Sequence, residues 1–123
     1  MRVIVTVPNL KLATLNVREH HMARAKRVKG ERLAVFAALS RVDAAAALSL
    51  KAAARVTVRF TRIGRGTLDT DNVVGSCKAV RDEVAKWLGK SDAPGSGVEW
   101  VMPVAQERGG WAVRIELECE AES

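Results

Sequence analysis

Two carboxylates stand two residues apart in Leu68-Asp69-Thr70-Asp71-Asn72, directly after the turn Gly64-Arg65-Gly66. Close carboxylates repel each other, and a bound cation removes that cost. Magnesium in turn asks for a few well-placed hard oxygens. Such a pair can hold an ion that activates water against a phosphodiester, an anionic bond that resists hydroxide unaided. Acids before an apolar helical run are also ordinary helix caps, so the spacing leaves both roles open. Asp92 is a third acid, just past the helix that follows. A helix of about eighteen residues is on the order of 27 Å long, so Asp92 joins the pair only if the Ser91 to Gly97 loop doubles back or a second subunit contributes. Otherwise it is a solvated loop aspartate.

Positive charge gathers upstream. Arg18, His20, His21, Arg24, Lys26, Arg27, Lys29 and Arg32 crowd into fifteen residues. Residues 1–68 hold 14 Lys and Arg against Glu19, Glu31 and Asp43, whereas residues 69–123 hold 6 against 11 acids, within a net charge of +6. Each phosphate neutralised by such a cluster releases counterions, giving salt-sensitive affinity that ignores base sequence. A solvated basic face is the plainer alternative. Arg62 and Arg65, just before the acids, can hold a scissile phosphate, while Arg55 and Arg59 are placed to pair with Glu116 and Glu118 across strands. His20 and His21 are adjacent and point different ways on a helix, which suits surface polarity better than a metal pair.

The elements that must position these groups read as β-α-β-α-β-β. Arg2 to Val7, closed by Pro8, suits a first strand. Asn16 with Glu19 three residues later has the form of a capping box for a first helix. Around Phe36 and from Leu33 to Leu39 the spacing is helical, but Lys29 and Arg32 fall on the same face as Phe36, which predicts a front part ill suited to burial. Ala44 to Ala54 has helix propensity with little amphipathic order and reads as an extension or a connection. Val56, Val58 and Phe60 alternate with Arg55, Thr57 and Arg59 as a half-buried strand. Val73, Cys77, Val80, Val84 and Trp87/Leu88 recur at three and four residues and predict one amphipathic helix stopped at Gly89. Val98 to Gln106 and Trp111 to Cys119, separated by Gly109-Gly110, read as a closing hairpin, with Pro103 at an edge. The expected architecture is α+β, a small mixed β-sheet with two main helices on one face.

The totals narrow the field. At 123 residues the chain fits one domain, residues 1–123. No apolar run is long enough to span a bilayer and the start lacks a signal-peptide shape, so the expectation is a cytoplasmic protein without a membrane partner. Cys77 and Cys119 form no CxxC pair and read as two buried thiols. Trp87, Trp100 and Trp111 suit core packing; with two Phe and no Tyr, a base-stacking platform is not indicated. Gly64, Gly66 and Gly75 make no phosphate-loop or dinucleotide fingerprint, and no Ser-His-Asp order is readable.

Taken together, Leu68-Asp69-Thr70-Asp71-Asn72-Val73, the helix from Lys78 through Asp82 to Gly89, Ser91-Asp92 and the basic stretch from Asn16 to Lys29 resemble the RusA-like Holliday junction resolvases, or crossover-junction endodeoxyribonucleases, of phage type. The likeness runs from about Val3 to Glu118. In that family an acid-x-acid-Asn motif opens a helix with a Lys-x-x-x-Asp pattern, and an Asp-Asp pair follows. The resemblance implies that Asp69, Asp71 and Asp92 are catalytic carboxylates that bind Mg2+, with Mn2+ as a substitute, and that Asn72 orders the turn. It also implies a homodimer acting on branched DNA without an organic cofactor; the DNA-contacting set expected from the charge cluster and the turn is Arg18, Arg24, Lys26, Arg27, Lys29, Arg32, Arg62 and Arg65, with Lys78 as the helix lysine of the family pattern. The chain departs from the pattern at Ser91, where the family has Asp, and at Lys78, which sits about one turn later than in bacterial members. Two other readings stay open: a catalytically weakened nucleic-acid-binding protein on the same scaffold, and an interaction protein with a basic arm.

Overall fold

The computed structural model describes residues 1–12, 21–91, 95–102 and 104–120, and for residues 70–72 the backbone alone. The Asn16/Glu19 capping box, Arg18, His20, Asp92 and Pro103 lie outside the described residues. The elements run β1 (Arg2–Pro8), α1 (His21–Leu39), α2 (Ala44–Ala52), β2 (Val56–Gly64), α3 (Thr70–Ser76), α4 (Lys78–Leu88), β3 (Val98–Trp100), β4 (Ala105–Arg108) and β5 (Ala112–Cys119). The architecture is α+β with a mixed five-stranded sheet.

Period-two sequence builds the sheet. Val56, Val58 and Phe60 of β2 and Val113, Ile115 and Leu117 of β5 are buried on the helical side, while Arg59 and Glu118 face out. Each fully buried aliphatic side chain contributes about 1.5–3 kcal/mol of transfer free energy, so this face holds the sheet to its helices. β5 lies between β1 and β2, antiparallel to both. β3 and β4 follow one another along the far edge of β2, parallel to it.

That order corrects the closing hairpin. β4 and β5 are joined through Gly109-Gly110 as a hairpin would be, but β2 is inserted between them, and the connection crosses the end of β2 with Gly109 N–H donating to Gly64 C=O at 3.2 Å. The crossing explains Gly64: any Cβ there would overlap the Trp111 ring. Insertion gives β2 a ladder on each side, which a local hairpin would deny it.

Two helices are also corrected. On α1 the inward row is Glu31, Val35 and Leu39, whereas Leu33 and Phe36 are 58% and 56% exposed. Lys29 therefore shares an outward face with Leu33 and Phe36, and the front of the helix buries a different stripe from the one the apolar residues suggest. The Ala-rich stretch is a separate helix, α2, turned by 112° from α1 and capped by Asp43, whose Oδ2 accepts from Ala46 N–H at 3.2 Å. The long second helix is interrupted at Cys77 to give α3 and α4. There Ser76 Oγ donates to the Val73 carbonyl at 2.9 Å and competes with the helical ladder. The predicted inward face is otherwise realised: Val73, Cys77, Val80, Val84 and Leu88 are buried, and Trp87 is half-buried beneath Lys51. The stop at Gly89 is a left-handed cap (φ 71°), with Lys90 N–H returning to the Ala85 carbonyl at 3.0 Å.

No single helix among the described residues is long and apolar enough to cross a membrane.

Candidate active site

The acid turn is the link from β2 to α3. Asp69 holds the N-cap position of α3 with φ −59° and ψ 152°, and Asp71 follows in the first helical turn. The capping alternative meets a specific result: the Asp69 side chain accepts no capping hydrogen bond, and among the described residues it forms no ion pair. Asp43, in the equivalent place before α2, does cap its helix. Asp69 thus presents an exposed, uncommitted carboxylate at the positive end of a helix, where negative charge is favoured. An uncommitted hard oxygen beside a second acid two residues on is the donor chemistry magnesium takes.

The turn is held from below by a buried cation. Arg62, 3% exposed, lies on the inward side of β2 and directs its guanidinium back at the chain it precedes. Nη1 donates to the Gly66 carbonyl at 3.2 Å and to Gln106 Oε1 at 3.2 Å, and Nη2 reaches the Arg65 carbonyl at 3.4 Å. Its plane sits 5.6 Å from the Trp111 ring centroid, with Lys11 Nζ 5.0 Å from the same centroid. Trp111 therefore serves as a platform for two cations, while Trp100 stacks on Phe60 at 5.9 Å as a core residue. Arg62 forms no ion pair with a carboxylate among the described residues. Buried in this way Arg62 braces the turn, whereas Arg65 is exposed on it.

Gln106 was not singled out from sequence. It stands opposite Arg62 in the β2–β4 register and makes two hydrogen bonds to one residue. Leu68 N–H donates to its Oε1 at 2.9 Å, and its Nε2 donates to the Leu68 carbonyl at 3.0 Å. The signal available in sequence was a polar side chain two residues beyond the apolar Val104, which is buried.

The basic set divides in two. Arg24, Lys26 and Lys29 are exposed on α1 and form no ion pair among the described residues. Arg27 and Arg32 are turned inward: Arg27 Nη1 is 3.0 Å from the buried Glu31, and Arg32 Nε is 3.6 Å from the buried Glu83 of α4. These two pairs fasten α1 to itself and to α4. Lys78 is exposed and shares Asp82 at 3.3 Å, the i,i+4 contact of the Lys-x-x-x-Asp pattern. The expected pairing of Arg59 with Glu116 is right in register only, because Glu116 is taken by Arg2 of β1 at 2.9 Å.

Cys77 lies where the polar groups converge. Burial pushes its thiol up from 9.0 to about 12, opposed by the Ser76 hydrogen bond, with nearby Glu31 raising it further and Arg62 and Arg81 lowering it. It is a packed side chain, not a nucleophile. Among the described residues no group of three or more His, Cys, Asp or Glu is gathered as a metal site, and the Asp71 side chain and Asp92 lie outside that description.

No protein-family model, no curated protein and no solved structure matches this chain.

Proposed function

We propose that the protein is a metal-dependent, structure-specific endonuclease that resolves four-way DNA junctions as a homodimer. The observation that carries this reading is Asp69: an acid in a capping position whose carboxylate is left out of the cap and faces solvent. Asp71 and Asp92 complete the proposed ligand set by the sequence pattern. A divalent ion held there would supply an activated water and neutralise charge on the leaving oxygen. Arg65 meets the phosphate next to the acids. Arg24, Lys26 and Lys29, which form no ion pair among the described residues, neutralise the DNA backbone, while Arg27 and Arg32 fix the helix that displays them. Recognition through phosphates suits a substrate known by its branching and not by its bases. A two-fold dimer would set two such sites across a two-fold junction.

A second reading has its own support. Ser91 stands where the resembled pattern has an acid, which favours a protein that binds junctions and cuts them poorly or not at all. Incubating the protein with a labelled four-way junction and magnesium or manganese, alongside Asp71→Asn, separates the two. Symmetric cleavage lost in the variant supports the nuclease; retained binding without cleavage supports the second reading. Absence of junction affinity at low salt overturns both.

A further inference from the structure

We infer that Gln106 is the positioning residue of the acid turn, a side-chain clamp that fixes the backbone entering Asp69 and so sets the affinity of that turn for a divalent cation. The metal half of this inference rests on the nuclease reading; the clamp itself does not.

The amide of Gln106 offers one acceptor and two donors. Here it engages the N–H and the C=O of the same residue, Leu68, at 2.9 and 3.0 Å. That is the double exchange one strand residue makes with its partner in an antiparallel ladder, performed by a side chain. Leu68 lies outside β2 and α3, is half-buried, and would otherwise leave both backbone groups without these partners. The next residue is Asp69. Fixing the Leu68 peptide on both sides thus fixes the chain direction from which the Asp69 carboxylate and the first turn of α3 depart.

Arg62 decides which way the amide faces. Both Leu68 N–H and Arg62 Nη1, at 3.2 Å, donate to Oε1, so a reversed amide would set its NH2 against two donors. Because Arg62 is buried and spends its Nη donors on the Gly66 and Arg65 carbonyls and on Gln106, its charge locks the clamp, and among the described residues Asp69 is not drawn into an ion pair. The clamp joins β4, late in the chain, to a turn 38 residues earlier, so the acid turn rides on the sheet edge and not on α3 alone.

The test compares wild type with Gln106→Met, which keeps length and removes the hydrogen bonds, and Gln106→Glu, which keeps the acceptor for Arg62 and for Leu68 N–H but loses the donor to the Leu68 carbonyl. Two quantities are read: amide hydrogen exchange at Leu68, with the β5 amides as reference, and Mn2+ affinity from a titration of the protein without DNA. Losing the clamp should speed Leu68 exchange and weaken Mn2+ binding by about tenfold each in Gln106→Met, the scale of one or two net hydrogen bonds, with the β5 amides unchanged and Gln106→Glu intermediate. Unchanged Leu68 exchange in a folded Gln106→Met protein would overturn the clamp. Faster exchange with unchanged Mn2+ affinity would overturn its link to the metal. Should wild type bind no Mn2+, the metal reading falls, and the exchange arm alone upholds or overturns the clamp.

Discussion

Arg62 and Gln106 stand opposite each other in neighbouring parallel strands and meet at 3.2 Å, a buried guanidinium on a side-chain amide that in turn holds Leu68. The contact ties the two halves of the chain, one rich in cations and one rich in acids, at the point where the acids begin. It also commits the Arg62 Nη donors to the Gly66 and Arg65 carbonyls and to Gln106, and among the described residues Arg62 and Asp69 form no ion pair.

Removing that guanidinium should be costly. Arg62→Met takes away the donors to Gly66, Arg65 and Gln106 and the charge above Trp111, leaving the carbonyls of the exposed turn without the buried donor beneath them. The expected loss is about 2–4 kcal/mol by denaturant unfolding, the range for breaking a buried polar network. A loss under about 0.5 kcal/mol, typical of a surface change, would contradict the bracing role.

The facing of α1 gives a paired prediction. Leu39→Ala, at a residue 1% exposed, should cost about 2–5 kcal/mol. Phe36→Ala, at a residue more than half exposed, should stay within about 1 kcal/mol despite deleting a larger side chain. Equal costs would return Phe36 to the core.

How much of this was legible depended on whether the inward residues were apolar and whether their partners were near in sequence. The α4 face was readable because Val80, Val84 and Leu88 repeat at helical spacing, and the one buried acid among them, Glu83, sits at the edge that meets Arg32 of α1. The α1 face was not, because its inward row carries Glu31 satisfied by Arg27, while Leu33 and Phe36 mark the outside. The alternation of β5 was readable, but its neighbour was not: Gly109-Gly110 predicts adjacent strands, and only the non-local ladders of β2 decide otherwise. Asp69 was singled out as a candidate by its spacing, whereas Gln106 escaped because its partner is a distant peptide group with no side-chain signature.

Cys77 yields a pH prediction. Its folded-state thiol is raised to about 12 from 9.0, mainly by burial, so the folded form keeps its proton where the unfolded chain has lost it. The contribution is therefore fully present below pH 9.0 and declines as pH rises from there through about 12. Chemical unfolding followed between pH 8 and 11 should show a decline that is smaller in Cys77→Ala, measured against each protein's own value at roughly pH 8. The native thiol should also resist alkylation until the protein opens. Rapid labelling of native Cys77 at neutral pH would contradict its burial.

On the proposed function, the exposed cations would set the salt dependence of DNA binding. If Arg24, Lys26 and Lys29 each neutralise a phosphate, replacing all three with Ala should reduce the slope of log affinity against log salt by about 2–3, at roughly 0.9 per phosphate. Arg27→Ala should instead reduce stability through Glu31, with little direct change in slope. An unaltered slope in the triple variant would remove α1 from the DNA interface.

The most direct measurement sets the two acids at helix starts against each other. Asp43 caps α2 through Ala46 N–H, whereas Asp69 occupies the same position before α3 without capping. Cleavage of a four-way junction in magnesium should survive Asp43→Ala, which loses about 1 kcal/mol of stability. It should vanish in Asp69→Ala, whose thermal midpoint stays close to wild type. Full cleavage by Asp69→Ala, or a loss of cleavage matched by a loss of stability as large as that of Asp43→Ala, would contradict the account.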